Sequence, residues 1–130
     1  MEAKELMLAD IVKTIGGNIV KTDYFFLDVA YCSLLDENGK YCKMPYYNLF
    51  PVPLTDEILK RNGFDIYGHH AIYYVHKDEP DEVVIHVDYC ESLDIDSPDY
   101  KFSGICKFVH KLQHALRLCG LNELADNFKI

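Results

Sequence analysis

From Ile105 to Cys119 the apolar residues return at helical spacing, and this stretch limits the folds open to the chain more than any other. At 100° per residue, Ile105, Phe108, Val109, Leu112, Leu116 and Cys119 fall within one arc of about 100°. The spacing predicts an amphipathic helix over 105–118. Gly120 follows as a left-handed terminator, with Leu121 able to reach back to Leu116. Such a helix must lay its stripe on another element. Asn122 is placed to cap a last short helix containing Leu124 and Phe128.

Elsewhere the apolar residues alternate. Val83, Ile85, Val87 and Tyr89 interleave with Val84, His86, Asp88 and Cys90, a period of two. With 71–76 they predict a hairpin around Asp78-Glu79-Pro80-Asp81, and a shorter strand is expected over 100–103. The N-terminal part reads as a meander. Strands over 11–15 and 18–22 are joined at Gly16-Gly17, a pair suited to a primed two-residue turn. A longer run over 24–33 puts Phe25, Leu27, Val29 and Tyr31 on one face. Asp36-Glu37-Asn38-Gly39 then turns into a strand over 40–44. Between these regions, Pro51 and Pro53 confine 46–53 to an edge strand or extended linker. Thr55 is an N-cap for a short helix. Asp56 and Glu57 sit in its first turn, Lys60 and Arg61 in its last, and Gly63 and Phe64 form its stop.

The reading is one α+β domain over 1–130. It has a β-meander or small SH3-like barrel at 1–44, an extended segment and short capped helix at 45–63, and a hairpin and C-terminal amphipathic helix packed on the sheet at 64–130. With 49% hydrophobic residues, ten Tyr and seven Phe, the chain has enough apolar area for a core despite lacking Trp.

The formal net charge is −8. Phosphate backbones and anionic membranes attract basic surfaces, so direct nucleic-acid binding and membrane-surface binding are disfavoured. Nine acidic residues and no Lys or Arg lie between Asp78 and Asp99, which leaves the rest of the chain near neutrality. This segment is either a solvated face or a docking surface for a basic protein partner. In the docking reading, Asp78, Glu79, Asp81, Glu82, Asp94, Asp96 and Asp99 are the contact residues. The five Cys are odd in number, form no CxxC and lie in apolar stretches, as expected of reduced, mostly buried thiols. The first residues do not follow a secretory pattern, and no apolar window approaches a membrane span. The expected location is therefore the cytoplasm.

The strongest chemical pattern is Cys106, His110 and His114 at i, i+4 and i+8, on the side of the predicted helix opposite its apolar arc. Two His at i, i+4 can chelate zinc, with a thiolate as third ligand. The intervening Lys111-Leu112-Gln113 does not make an HExxH pattern. Lys107, Lys111 and Arg117 also crowd this side with positive charge, so exposed or second-interface polar residues are the simpler reading and no metal or other cofactor is expected. His69 and His70 fall in a turn, and His76 and His86 on hairpin strands beside Cys90; structural hydrogen bonding explains them as readily as base catalysis does. Asp94-Ile95-Asp96-Ser97-Pro98-Asp99 is a poor calcium loop, because Pro98 takes a ligand position and Asp99 replaces the turn glycine. Tyr46, Tyr47, Tyr73 and Tyr74 are either half-buried sheet residues or a binding surface.

Three segments carry a family resemblance. They are Lys4-Glu5-Leu6 leading into Asp10-Ile11-Val12, the stretch from Pro53 to Phe64 (PLTDEILKRNGF), and the stretch from Lys107 to Leu116 (KFVHKLQHAL). In order and spacing they resemble a family of short, functionally uncharacterised prophage and mobile-element proteins of gut anaerobes. Its members have KELRIGNYV-, PLTEEWLLKFGF- and YVHQLQNLYFALTG-like segments. The resemblance places His110 and Gln113 on the family motif. The chain departs from it at His114, where the family has Asn, and at Ile58, where it has Trp. A hydrogen bond from His110 or Gln113 to a neighbouring strand would explain their place in the motif. No activity, cofactor or catalytic residue carries over. The expected function is a noncatalytic protein-interaction module of a mobile element. A small His/Cys- or metal-dependent hydrolase and a structural homo-oligomer, such as a homodimer, are the alternatives.

Overall fold

The computed structural model describes residue 6 and residues 10–24, 31–88 and 92–130; for residues 23, 24 and 31–33 it describes the backbone alone. The N-terminal sheet contains β1 (Ile11–Thr14), β2 (Ile19–Tyr24), β3 (Tyr31–Asp36), β4 (Tyr41–Pro45) and β5 (Leu49–Pro51). A 3-10 turn at Tyr46–Asn48 precedes β5. The strand order is β4-β3-β2-β1-β5, antiparallel throughout. The expected meander is present, and the proline-bearing segment supplies its fifth strand at the edge, where missing N–H donors cost least.

Two of its turns are built alike. Gly17 N–H donates to the Thr14 carbonyl and Thr14 N–H to the Asn18 carbonyl. Gly39 N–H donates to the Asp36 carbonyl and Asp36 N–H to the Lys40 carbonyl. Gly17 and Gly39 have φ of 85° and 79°. Each is a three-residue loop whose glycine takes the left-handed bulge position. This corrects the primed Gly16-Gly17 turn: only Gly17 needs positive φ. In the second turn the Asp36 carboxylate also accepts from the N–H groups of Asn38 and Lys40. The long strand expected over 24–33 is divided between the end of β2 and the start of β3. The face assigned to Phe25, Leu27 and Val29 lies outside the described residues, as do Lys4, Glu5, Tyr89 and Cys90.

The second sheet is larger than the expected hairpin. It has five antiparallel strands, β6 (Asp65–Tyr67), β7 (His70–Val75), β8 (Val83–Asp88), β9 (Ser92–Asp96) and β10 (Lys101–Ile105), in the order β10-β9-β8-β7-β6. The calcium-loop alternative is overturned here, because Asp94 and Asp96 lie on β9 and Ser97 to Tyr100 form the β9–β10 turn.

Helix α1 (Asp56–Arg61) begins at Thr55, whose hydroxyl accepts from Ile58 N–H. It ends in a Schellman motif, with Phe64 N–H on the Leu59 carbonyl and Gly63 N–H on that of Lys60. Helix α2 (Val109–Leu118) ends the same way, through Leu121 to Leu116 and Gly120 to Arg117. Helix α3 (Asn122–Asp126) follows; Asn122 is its first helical residue and not its cap.

The start of α2 corrects the sequence reading. Ile105 pairs with Ser92 in the sheet and is 80% exposed. Leu54 N–H then donates to the Lys107 carbonyl, Phe108 bridges Pro53, and Val109 N–H donates to the Val52 carbonyl. With these backbone groups used in extended pairing, the helix cannot begin before Val109. No helix among the described residues is long and apolar enough to cross a membrane.

Two cores result. The larger holds Val83, Ile85, Val87, Leu93 and Ile95 from the second sheet, the helical residues Ile58, Leu59, Val109, Leu112, Leu116 and Ala125, and Phe128 after α3. The smaller, inside the first sheet, holds Leu6, Val12, Val20, Leu34, Tyr46 and Leu49. Strand β1 serves both, with Ile11 in the larger core and Val12 in the smaller. Leu112→Ala is expected to cost about 2–5 kcal/mol in urea unfolding, and Ile105→Ala under about 0.5 kcal/mol. Comparable losses would return Ile105 to the buried stripe.

Candidate interaction site

Helix α2 is nearly surrounded. Val109, Leu112 and Leu116 face the larger core, and His110 and Gln113 are also buried. Of the two readings of this side of the helix, exposed residues or a second interface, the burial of His110 fits the second. The Gln113 side chain is a bridge: its carbonyl accepts from Ile11 N–H at 2.9 Å, and its amide donates to the Ala125 carbonyl at 3.0 Å. The need for it follows from where the Val52 carbonyl goes. The β1–β5 register ends at Val12 opposite Pro51, and the next residue, Val52, gives its carbonyl to Val109. Ile11 N–H therefore finds its acceptor on the helix. Of the two residues expected to hydrogen-bond to a neighbouring strand, His110 or Gln113, Gln113 does so with Ile11.

One turn along α2 lies a buried ionic cluster. Asp10, fully inaccessible, accepts from His114 Nε2 and from Arg117 Nη1, each at 2.6 Å. Arg117 also lies 3.3 Å from Asp126. Thr22 and Asp10 exchange two further bonds, Asp10 N–H to the Thr22 hydroxyl and Thr22 N–H to the Asp10 carbonyl. The Arg117 charge, expected to repel a cation at the helix surface, is thus consumed internally. The sequence held no local signal for this cluster, since Asp10 precedes its partners by 104 and 107 residues.

Cys106, His110 and His114 do not assemble. Cys106 precedes the helix, and its thiol donates to the Phe108 carbonyl. Burial, the largest influence, pushes that thiol up to about 11. The His110 ring lies parallel to Phe108 and edge-on to His114, with centroids 6.1 and 5.6 Å away. Among the described residues, no group of three or more His, Cys, Asp or Glu is arranged to hold a metal ion.

The remaining stripe of α2 faces open space. Lys111, His114, Ala115 and Leu118, with Arg117 and Asn122, line a groove of about 680 Å³ whose other side is Leu93, Phe102 and Ile105. Its apolar flanks, Ile105 and Leu118, are 80% and 76% exposed. Strand β10 runs alongside and, among the described residues, pairs only with β9. The Ser97 N–H bond to the Tyr100 carbonyl sets the ladder's alternation, so the N–H groups of Lys101, Ser103 and Ile105 point away from β9.

The acidic residues divide by strand direction. The loop joining β7 and β8 carries Asp78, Glu79, Asp81 and Glu82. The β9–β10 turn carries Asp99 at the same end of the sheet, next to Asp96. Several have local partners: Asp81 takes His76 Nδ1 at 2.8 Å and Glu82 takes Asp78 N–H at 2.6 Å. Asp96 lies 3.9 Å from Lys101 Nζ, and Asp99 N–H donates to Ser97 Oγ. Asp94 lies further down the sheet and accepts from Ser103 at 2.6 Å. The tyrosines also divide. Tyr46 is buried in the smaller core, Tyr73 packs on Phe64, Tyr74 lies beneath Lys77, and Tyr47 is exposed. On the outer face of the second sheet, His70 and His86 meet; His69 is exposed in the preceding turn.

No family model matches the chain, and comparison with curated proteins and with solved structures likewise finds no match.

Gln113→Leu orphans Ile11 N–H and should cost about 1–3 kcal/mol, and Asp10→Ala about 3–5 kcal/mol, by urea unfolding. Losses below about 0.5 kcal/mol in both would show that α2 is not fastened to β1 by these groups. At pH 8 the Cys106 thiol remains protonated, so a thiol-specific reagent should label exposed Cys42 well before Cys106 in the folded chain, as read by peptide mass spectrometry.

Proposed function

We propose that this protein is a noncatalytic protein-interaction module of a prophage or other mobile element, and that it takes an extended segment of its partner between β10 and α2. The observation that carries this reading is a sheet edge left unpaired among the described residues, beside a groove with an apolar floor. An added strand gains main-chain hydrogen bonds from the edge, while its alternate side chains enter the groove. Leu93, Phe102, Ala115 and Leu118 suit an apolar side chain, and Lys111 at the rim suits a carboxylate on the incoming segment. The joint between α2 and β1 supports the same reading, because a helix fixed on its other sides presents its stripe without reorganising.

Selection of random decapeptides displayed on phage tests this. Enriched peptides should carry alternating apolar residues, and synthetic copies should bind the full chain at least tenfold more tightly than Ser103→Pro or Leu118→Asp. The first substitution removes an outward-facing donor without touching the β9 ladder, and the second places a charge in the groove. Equal binding to both folded variants would remove the reading.

A second reading rests on the topology that gathers Asp78, Glu79, Asp81, Glu82, Asp96 and Asp99 at one end of the sheet: a docking surface for a basic protein. Host proteins held there should elute between about 0.1 and 1 M salt and escape a variant with these six residues as amides. Salt-insensitive capture argues for the groove.

A further inference from the structure

The outer face of the second sheet carries an arrangement that the groove does not use. His70 pairs in register with Asp88, and Ile72 with His86, so the two histidines are diagonal neighbours on one face. Their rings stack at 4.8 Å and 25°, with His70 Nδ1 2.8 Å from His86 Nε2. The Asp88 carboxylate lies 3.6 Å from the same Nδ1. A neutral imidazole has one N–H and one lone pair, so two facing nitrogens can share a single proton or point both lone pairs at one cation. Two nitrogens about 2.1 Å from a metal and at right angles to each other lie about 3 Å apart. The facing nitrogens are already within a few tenths of an ångström of that spacing.

We propose that His70 Nδ1 and His86 Nε2 form a two-imidazole chelate for a divalent, nitrogen-seeking cation of the zinc, nickel and copper class. Asp88 balances its charge, and water fills the remaining positions. The chelate needs no third side chain already in place. Whichever nitrogen bears the shared proton passes it to the other nitrogen of the same ring, so both imidazoles bind as neutral ligands and no net proton is released. The strands hold the pair rigidly: His86 lies on β8, with β7 and β9 on either side.

Isothermal titration of the full chain with zinc chloride tests the site. One equivalent should bind. His70→Ala and His86→Ala should each weaken binding at least tenfold, Asp88→Asn less than tenfold, and His76→Ala, on the neighbouring loop, should leave it unchanged. Zinc should also raise the melting temperature of the parent chain and of neither His70→Ala nor His86→Ala. Absence of binding at millimolar zinc, or binding that persists in both histidine variants, overturns the proposal. Both histidines sit on the outer face away from the core, so loss of folding is not expected to obscure the comparison.

Discussion

The backbone N–H of Ile11 has no strand to pair with, and much of the architecture follows from how it is satisfied. Strand β5 does not serve it, because the ladder stops at the Val12–Pro51 pair and Val52, next in register, turns its carbonyl toward Val109 of α2. A buried N–H left without an acceptor costs on the order of 1–3 kcal/mol. Gln113 supplies the acceptor and, through its amide, ties α3 to the same point. Asp10, one residue earlier, fixes the next turn of the helix through His114 and Arg117. Residues contributing to two otherwise separate sheets thus meet on a few neighbouring side chains, and β1 carries a core on each side.

This joint decides which part of α2 remains available. A helix ten residues long has few faces to allot. One lies on the larger core and another is turned to β1, which leaves the stripe of Lys111, His114, Ala115 and Leu118 beside the outer edge of β10. Natural sheets commonly shield such edges with charges, prolines or covering elements. Here Lys101 begins the strand and Pro98 lies just before it, while Ile105 at its far end is left bare beside Leu118. The two apolar residues with the greatest exposure among the described residues therefore flank the same groove.

Local chemistry was legible in the sequence wherever one residue dictates its own geometry. Thr55, Gly63 and Gly120 mark helix ends by capping and by left-handed backbone, and the structure has those ends there. The alternation at Val83, Ile85 and Val87 likewise announced a half-buried strand. What escaped depends on partners. Strand β9 carries Asp94 and Asp96 outward and has no strand signature of its own, because its pairing comes from β8 and β10. Ile105 fits a helical stripe by spacing, yet its backbone belongs to a ladder, and periodicity alone cannot choose between the two. Spacing leaves His110 either exposed or in a second interface, and only the packing of α2 on more than one face decides for burial. The Asp10 cluster and the groove join residues too distant in sequence for any spacing rule to connect.

The reach of the Gln113 bridge has a consequence for how the chain is made. Ile11 and Gln113 are 102 residues apart, so the strand emerges from the ribosome long before its acceptor exists. Synthesis at roughly 5–20 residues per second separates the two by several seconds. During that interval β1 can form its ladders with β2 and β5, but the side of Ile11 destined for the larger core stays wet. The two-faced strand thus couples an early meander to a late helix, and vectorial assembly must remain unfinished until the C-terminal third has been translated.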